Sequence, residues 1–245
     1  VKTKKNRTCG KHEEETMIEE PALLTVKRPD RRPSASQIAA FQGVPTSFVV
    51  HAMQGGQVLD RQIRPLLGDP SVSVAGPALT ADCGPGDILA LLAAMSFVQA
   101  GDVLVSAAYG YQGCAAMGDR VAGFAKNAGA VALVTDGPAR DYAGLQEVGL
   151  PVWCTGLCPD TPHTNGPGKV GTTVLVGGQR VETGDMIVAD FDGVVVVPFA
   201  RIDQVIEKLA LVRELEASLD AKLKDGLSVP EAISELLGSD KVAYV

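Results

Sequence analysis

Residues 130–141 read AVALVTDGPARD, and the reading of this stretch decides the fold. The run AVALV is apolar and carries two β-branched valines, the pattern of a short strand buried on both faces. Gly137 and Pro138 end it in a turn, because glycine permits unusual backbone angles and proline fixes one dihedral. Upstream, GDRVAGFAKNAG (118–129) places Val121, Phe124, Ala125 and Ala128 at helical spacing and stops at Gly129. Before that helix, GDVLVSAA (101–108) is again strand-like. A strand–helix–strand unit of this length pairs its strands in parallel, so the chain reads as α/β.

The same alternation extends outward. SASQIAAFQG (34–43) offers a serine cap, a short helix and a glycine stop. SFVVHAM (47–53) reads as a strand with Val49 and His51 on one face. SVSVAG (71–76) is a further strand, and GDILALLAAMSFVQ (86–99) a helix. After DGPARD the texture changes. LPVWCTG, VGTTVLVGG, GDMIVADFDG and VVVVP follow one another with glycine turns and no room for crossover helices, which predicts a second, more antiparallel layer. The stretch 200–226 repeats Ile202, Val205, Ile206, Leu209 and Val212 at helical spacing, and a last helix follows Ser228 and Pro230. Residues 1–33, which mix the basic VKTKKNR with Glu13–Glu15 and close on PDRRP, read as an arm preceding a domain of residues 34–245.

With 245 residues, 46% of them hydrophobic, the chain can bury a large core. Its net charge of -7 provides no overall basic field for a nucleic-acid backbone. Five cysteines without a CxxC pair suggest neither a disulfide framework nor a zinc cage, and point to reducing cytoplasm. No apolar run is long enough to span a bilayer, and no apolar signal core is seen, so no membrane association is expected.

The chemistry concentrates at two adjacent strand ends. GYQGCAAMGD (110–119) joins a strand to a helix start and offers unpaired backbone N–H groups to a carboxylate or phosphate. It contains neither GxGxxG nor GxxxxGK[ST], so a nucleotide cofactor finds no support. DGPARD supplies Arg140, whose paired donors suit a carboxylate or ketone oxygen. It also supplies Asp141, which suits one position of a Mg²⁺ octahedron completed by water and substrate oxygens. An anion loop, a guanidinium and a carboxylate fit a small oxoacid that forms an enolate. Cys114 lies in the anion loop with no base evident beside it, and Ala115 and Ala116 suggest close backbone approach rather than a cysteine nucleophile. His51 reads as a hydrogen-bonded structural histidine, His163 and Asn165 as turn residues, and Trp153 and Cys154 as core.

The run 118–141, then LPVW (150–153), NGPGKVG (165–171), GGQRVETGDMIVAD (177–190) and DGVVVVP (192–198), strongly resembles the RraA-like family. The resemblance covers about residues 35–245. That family includes 4-hydroxy-4-methyl-2-oxoglutarate and 4-carboxy-4-hydroxy-2-oxoadipate aldolases, the regulator of ribonuclease activity A, and proteins once labelled demethylmenaquinone methyltransferase. The resemblance implies an α-β-β-α sandwich with a swivelling β/β/α core, like a phosphohistidine domain. It further implies trimers or hexamers with sites between subunits. Carried over to this chain, Arg140 binds pyruvate and Asp141 anchors a divalent metal, Mg²⁺ or Mn²⁺. Backbone amides in the region Gly113, Cys114, Ala115 and Ala116 hold the pyruvate carboxylate. Asp119 matches an acidic position after the loop, and Glu214 or Glu216 resembles a carboxylate given by a neighbouring subunit. The implied reaction is cleavage of a 4-hydroxy-2-oxoacid to pyruvate and a second oxoacid, with oxaloacetate decarboxylation as a side activity. The alternatives are a regulator that binds a ribonuclease and a lyase acting on another oxoacid or sugar acid. Two positions depart from the family pattern: His51 stands where Asp is common, and Ile88 where Asn is common.

Overall fold

The computed structural model describes residues 22–245. In chain order its strands and helices are β1 (Leu24–Val26), α1 (Ala35–Phe41), α2 (Thr46–Met53), β2 (Arg64–Pro65), β3 (Val74–Asp82), α3 (Leu89–Ala94), β4 (Val103–Ala107), α4 (Asp119–Ala128), β5 (Ala132–Thr135), α5 (Tyr142–Val148) and β6 (Val152–Cys154). They continue with β7 (Gly168–Val170), β8 (Val174–Val176), β9 (Gln179–Val181), β10 (Met186–Ala189), β11 (Val194–Val197), α6 (Ile202–Lys224) and α7 (Glu231–Leu237).

The main sheet runs in the order β1-β7-β3-β4-β5-β6-β2, with β3, β4, β5 and β6 mutually parallel. Alternation along these strands divides their side chains between two cores. Leu79, Leu104, Leu133 and Val152 face α3, α4 and α5, while Ala78, Val103, Val105, Ala132 and Trp153 face the other way. There they meet Val174, Val176, Val181, Ile187, Val194 and Val196 from β8–β11. The opposite side of β10 and β11, through Met186, Val188, Val195 and Val197, packs on Phe41 of α1, Val49 and Met53 of α2, and Val205 and Leu209 of α6. The molecule is therefore a helix–sheet–sheet–helix sandwich. The valine run 194–197 is buried on both faces because it lies between two of these cores.

β3 connects the two sheet layers. Its first half pairs antiparallel with β10 and its second half parallel with β4. The change falls at Gly76-Pro77, where proline lacks a ladder donor and a Cβ on Gly76 would lie 2.3 Å from the Gly101 carbonyl oxygen. The antiparallel pairs β10–β11, β10–β3 and β8–β9 form the second layer that the glycine-separated runs lead one to expect.

Several elements differ from their sequence reading. SFVVHAM is helix, not strand: Thr46, Val49, Ala52 and Met53 recur on one face and are buried against β10, β11 and α6. Packing of that stripe overrides the strand preference of Phe48, Val49 and Val50. His51 falls in the last turn of α2, with Nδ1 3.6 Å from Oε1 of Glu216. The helix read over 86–99 is regular only over Leu89–Ala94 and ends in one 3-10 turn. VGTTVLVGG is broken at Gly171, whose positive φ and close approach to the Lys27 carbonyl admit no side chain. The serine cap holds, with Ser34 and Gln37 forming a reciprocal capping box on α1.

The first 21 residues of the arm lie outside the described residues. Its remainder is built into the body: β1 pairs in parallel with β7. Arg31 donates to the Thr183 carbonyl at 2.9 Å and to Glu182 at 2.7 Å. Arg32 donates to Asp102 and, at 2.9 Å, to the Ala100 carbonyl.

Candidate active site

The carboxyl ends of four adjacent parallel strands open onto one pocket of about 370 Å³. Its lining comes from the segment after each strand: Ile88 after β3, Met117 to Val121 after β4, Arg140 and Asp141 after β5, and Pro162 after β6. This is the edge at which open α/β sheets bind ligands.

DGPARD separates its two aspartates. Asp136 is buried and structural: its carboxylate accepts from the Ala108 N–H at 2.7 Å and the Gly110 N–H at 3.0 Å, tying the exit of β4 to that of β5. Burial pushes its pKa above the ordinary carboxylate value, against the lowering effect of those two donors. Gly137 is required by packing, since a Cβ there would meet Ala116 Cβ at 2.7 Å. Ala139 then forms a parallel bridge to Met117 on one side and to Leu157 on the other. The three strand-end segments thus lie side by side, and the Arg140 N–H donates to the Met117 carbonyl at 3.0 Å.

Arg140 and Asp141 are delivered together into the pocket. The Arg140 Nη1 donates to Thr161 Oγ1 at 2.7 Å, and its Nε lies 3.4 Å from Asp141 Oδ2. Asp141 adopts the left-handed conformation (φ 60, ψ 48) as the chain turns into α5. A space is kept free beside both residues by Gly118, where a Cβ would stand 2.7 Å from Asp141 Oδ2 and 3.1 Å from Arg140 Cγ. Asp119 opens α4 and accepts from the Arg120 N–H at 2.6 Å. Its carboxylate is packed by Gly144 of α5, where a Cβ would lie 2.5 Å from Oδ2.

Of the loop amides that the resemblance assigns to a carboxylate, those of Ala115 and Ala116 are engaged within the fold. The Ala115 N–H donates to the Asp160 carbonyl at 3.1 Å and the Ala116 N–H to the Pro138 carbonyl at 2.7 Å, so neither amide is available to a carboxylate. Gly113 and Cys114 do not line the pocket. The backbone that lines it is Gly118 to Val121, the start of α4, whose helix N-terminus favours negative charge. Cys114 is 7% exposed, and burial raises its thiol pKa, the reverse of what a cysteine nucleophile needs. Glu214 and Glu216 are on α6, in the outer helical layer across both sheets from the pocket. Within one chain they do not meet Arg140. His163 and Asn165 serve a turn: the His163 carbonyl accepts from the Ile88 N–H, and the Asn165 N–H donates to Asp87. Trp153 and Cys154 are core.

Met117, Arg120 and Pro162 also line the pocket and Thr161 holds Arg140, none of them marked as a site residue by the sequence. A charged residue in the first turn of a helix leaving a parallel strand was the available signal for Arg120. Nothing local marks Thr161 and Pro162, which arrive from the loop after β6.

The donor set suits a hard cation held by few protein ligands. Asp141 and Asp119 are the carboxylates of the pocket, and among the described residues no three His, Cys, Asp or Glu side chains cluster as a metal cage. Mg²⁺ is commonly held by one or two carboxylates with water and substrate oxygens, whereas structural zinc needs four protein ligands. A second hollow of about 340 Å³, lined in part by Gly110 and Gln112, carries Asp60 and Asp136 but no Lys or Arg, which makes it a poor receptor for an organic acid. Among the described residues no helix is long and apolar enough to cross a membrane.

Layered architecture and pocket together define an α/β protein with a pocket at parallel strand ends that is lined by two arginines and two aspartates. The profile of the RraA-like family (Aldolase/RraA) matches residues 46–196, and the chain belongs to this family. It is 32% identical over 198 residues to a protein of Halalkalibacterium halodurans named "Putative 4-hydroxy-4-methyl-2-oxoglutarate aldolase", covering 81% of this chain and 93% of that one. An uncharacterised protein of Pseudomonas syringae shares the fold (TM-score 0.71, 23% identity, 81% of this chain and 92% of that one). Streptomyces coelicolor RraAS2, described as an unusual member of the RNase ES inhibitor RraA family, superposes with a TM-score of 0.67 at 29% identity, covering 78% of this chain and all of the other.

Proposed function

We propose that the protein is a divalent-metal-dependent aldolase that cleaves a 4-hydroxy-2-oxoacid to pyruvate and a second oxoacid. The observation that carries this reading is the convergence of Arg140, Asp141 and the α4 N-terminus on one pocket. The 32% identical relative with an aldolase name supports it.

The 2-oxoacid carboxylate lies against the start of α4, and the 2-oxo oxygen faces the Arg140 guanidinium. Asp141, assisted by Asp119, would hold Mg²⁺ or Mn²⁺, which as a Lewis acid lowers the cost of negative charge on the 2-oxo oxygen. Thr161 and Asp141 fix the orientation of Arg140, so its donors are in place before charge develops. A water held by the Asp119 carboxylate accepts the C4 hydroxyl proton. The C3–C4 bond then breaks, its electron pair forms the pyruvate enolate, and C4 becomes the carbonyl of the second product. Protonation at C3 completes pyruvate. Oxaloacetate would lose CO₂ through the same enolate. A sugar acid or another oxoacid is the nearest variant of this chemistry.

The reading carries with it a homo-oligomer, trimer or hexamer, in which α6 of one subunit presents Glu216 to the next. Leu211, Leu215, Leu219 and Leu223 recur every four residues along α6 and are exposed, as such a contact requires.

Pyruvate release, coupled to lactate dehydrogenase, is expected from one or more members of a panel of 4-hydroxy-2-oxo di- and triacids with Mg²⁺. It should fall to background with EDTA and in Asp141→Asn. Turnover that survives chelation would refute the metal. The likeness to RraAS2 favours a second reading, a non-catalytic regulator binding a ribonuclease. Metal-independent ribonuclease inhibition with no pyruvate from any substrate would favour it.

A further inference from the structure

We infer that the outer half of α6 pairs antiparallel with α6 of a second copy of this chain, on a two-fold axis at Leu219. The inference rests on the homo-oligomer of the proposed reading and names one contact within it. It is read by mass, independently of pyruvate release.

The buried residues of α6, Ile202, Val205, Leu209 and Val212, all lie in its first half. From Arg213 to Lys224 none is buried, which leaves about 18 Å of helix that adds nothing to the core. The following α7 buries no residue either. A helix of that length without packing is marginal in water, because propensity alone hardly offsets nucleation. Yet one ridge of it is apolar: Leu211, Leu215, Leu219 and Leu223 stand at every fourth residue and are 43–62% exposed. Ridges of this spacing interdigitate with an identical ridge on another helix, the commonest mode of helix packing.

Charge selects the occupant and the register. In an antiparallel pair about Leu219, Leu215 meets Leu223 of the second copy and Leu211 meets Leu227. The same pairing sets Arg213 against Asp225, Glu214 against Lys224 and Glu216 against Lys222, each occurring twice by symmetry. No like charges meet between 211 and 227. Parallel helices would oppose each charge to its own kind, and an axis midway between Leu215 and Leu219 would set Glu214 against Asp220. Like charges so placed reject the wrong arrangement. Within the chain Glu216 has His51 beside it and Lys222 has Glu231, whereas Arg213, Glu214, Lys224 and Asp225 make no ion pair among the described residues.

The test is sedimentation equilibrium of the full chain. Wild type is expected as an even-numbered assembly. Lys224→Glu sets a second carboxylate against Glu214, and Leu219→Asp places two carboxylates on the axis, so each should sediment at half the wild-type mass. Adding Glu214→Lys to Lys224→Glu should restore the full mass, which a merely misfolded variant would not do. A cysteine locates the axis: with a short bismaleimide, Leu219→Cys should cross-link to a covalent dimer, and Leu211→Cys should stay at the wild-type background. A wild-type monomer, a mass unchanged in both single variants, or a double variant no better than Lys224→Glu would overturn the pairing and assign the leucine ridge to another occupant. Cross-linking as strong at Leu211→Cys as at Leu219→Cys would overturn the antiparallel register. Pyruvate release tests the aldolase reading whichever mass is found.

Discussion

Arg140→Ala is expected to lower pyruvate release by about 10²–10³-fold, the usual effect of removing one preorganised donor from a developing oxyanion. The fold should tolerate it. Arg140 is about one-third exposed, and its side-chain partners are Thr161 and Asp141, both able to turn to water. Melting temperature should therefore change little while turnover collapses. Arg140→Lys should recover only a minor part, because an ammonium cannot place two parallel donors on one oxyacid. Equal loss of kcat and kcat/KM would show that the contact strengthens in the transition state, and a change confined to KM would show that it does not.

The second large effect is on stability. Asp102 is buried at the entry to β4, where one oxygen accepts from the Gln99 N–H at 2.8 Å and the other pairs with Arg32. Arg32→Ala leaves that carboxylate buried with its countercharge gone. Breaking a buried pair in this way costs about 3–5 kcal/mol; the partial exposure of Arg32 argues for the lower end. For a chain of this size about 3 kcal/mol corresponds to a fall in Tm of roughly 6–12 °C, readable by calorimetry. The pH dependence has a definite sign. Burial already holds the folded pKa of Asp102 above its ordinary 3.8, and Arg32 opposes that rise. Without Arg32 the folded pKa rises further, so the folded state retains a proton that the unfolded state has lost. Stability contributed this way is present near and below the ordinary value and is lost as pH rises through the folded pKa. The deficit of Arg32→Ala relative to wild type should be full at neutral pH and shrink towards pH 4.

Arg31 and Arg32 also explain why the start of the domain was hard to read. PDRRP has the composition of a linker, and nothing local says that its arginines find Glu182, Asp185 and Asp102 across the chain. Similarly, Phe48, Val49 and Val50 favour a strand by propensity, and only the stripe of Val49, Ala52 and Met53 against α6 makes them helix. Periodicity was sufficient where burial is one-sided or complete, as in α4, β5 and β11. The candidate pocket was legible where its lining residues adjoin a strand end in sequence, as Arg140 and Asp141 do. Sequence alone cannot show which loop amides are already engaged within the fold. The Ala115 and Ala116 amides bond neighbouring strand-end segments, and the backbone that lines the pocket is Gly118–Val121.

The central claim is that Arg140 and Asp141 hold the enolate of pyruvate, and this half of the reaction can be observed without the natural substrate. Pyruvate incubated with the protein in D₂O and Mg²⁺ should exchange its methyl protons for deuterium, followed by NMR. The exchange should vanish with EDTA and in Arg140→Ala. Wild-type protein that binds pyruvate but catalyses no exchange, or exchange that persists undiminished in Arg140→Ala, would contradict it.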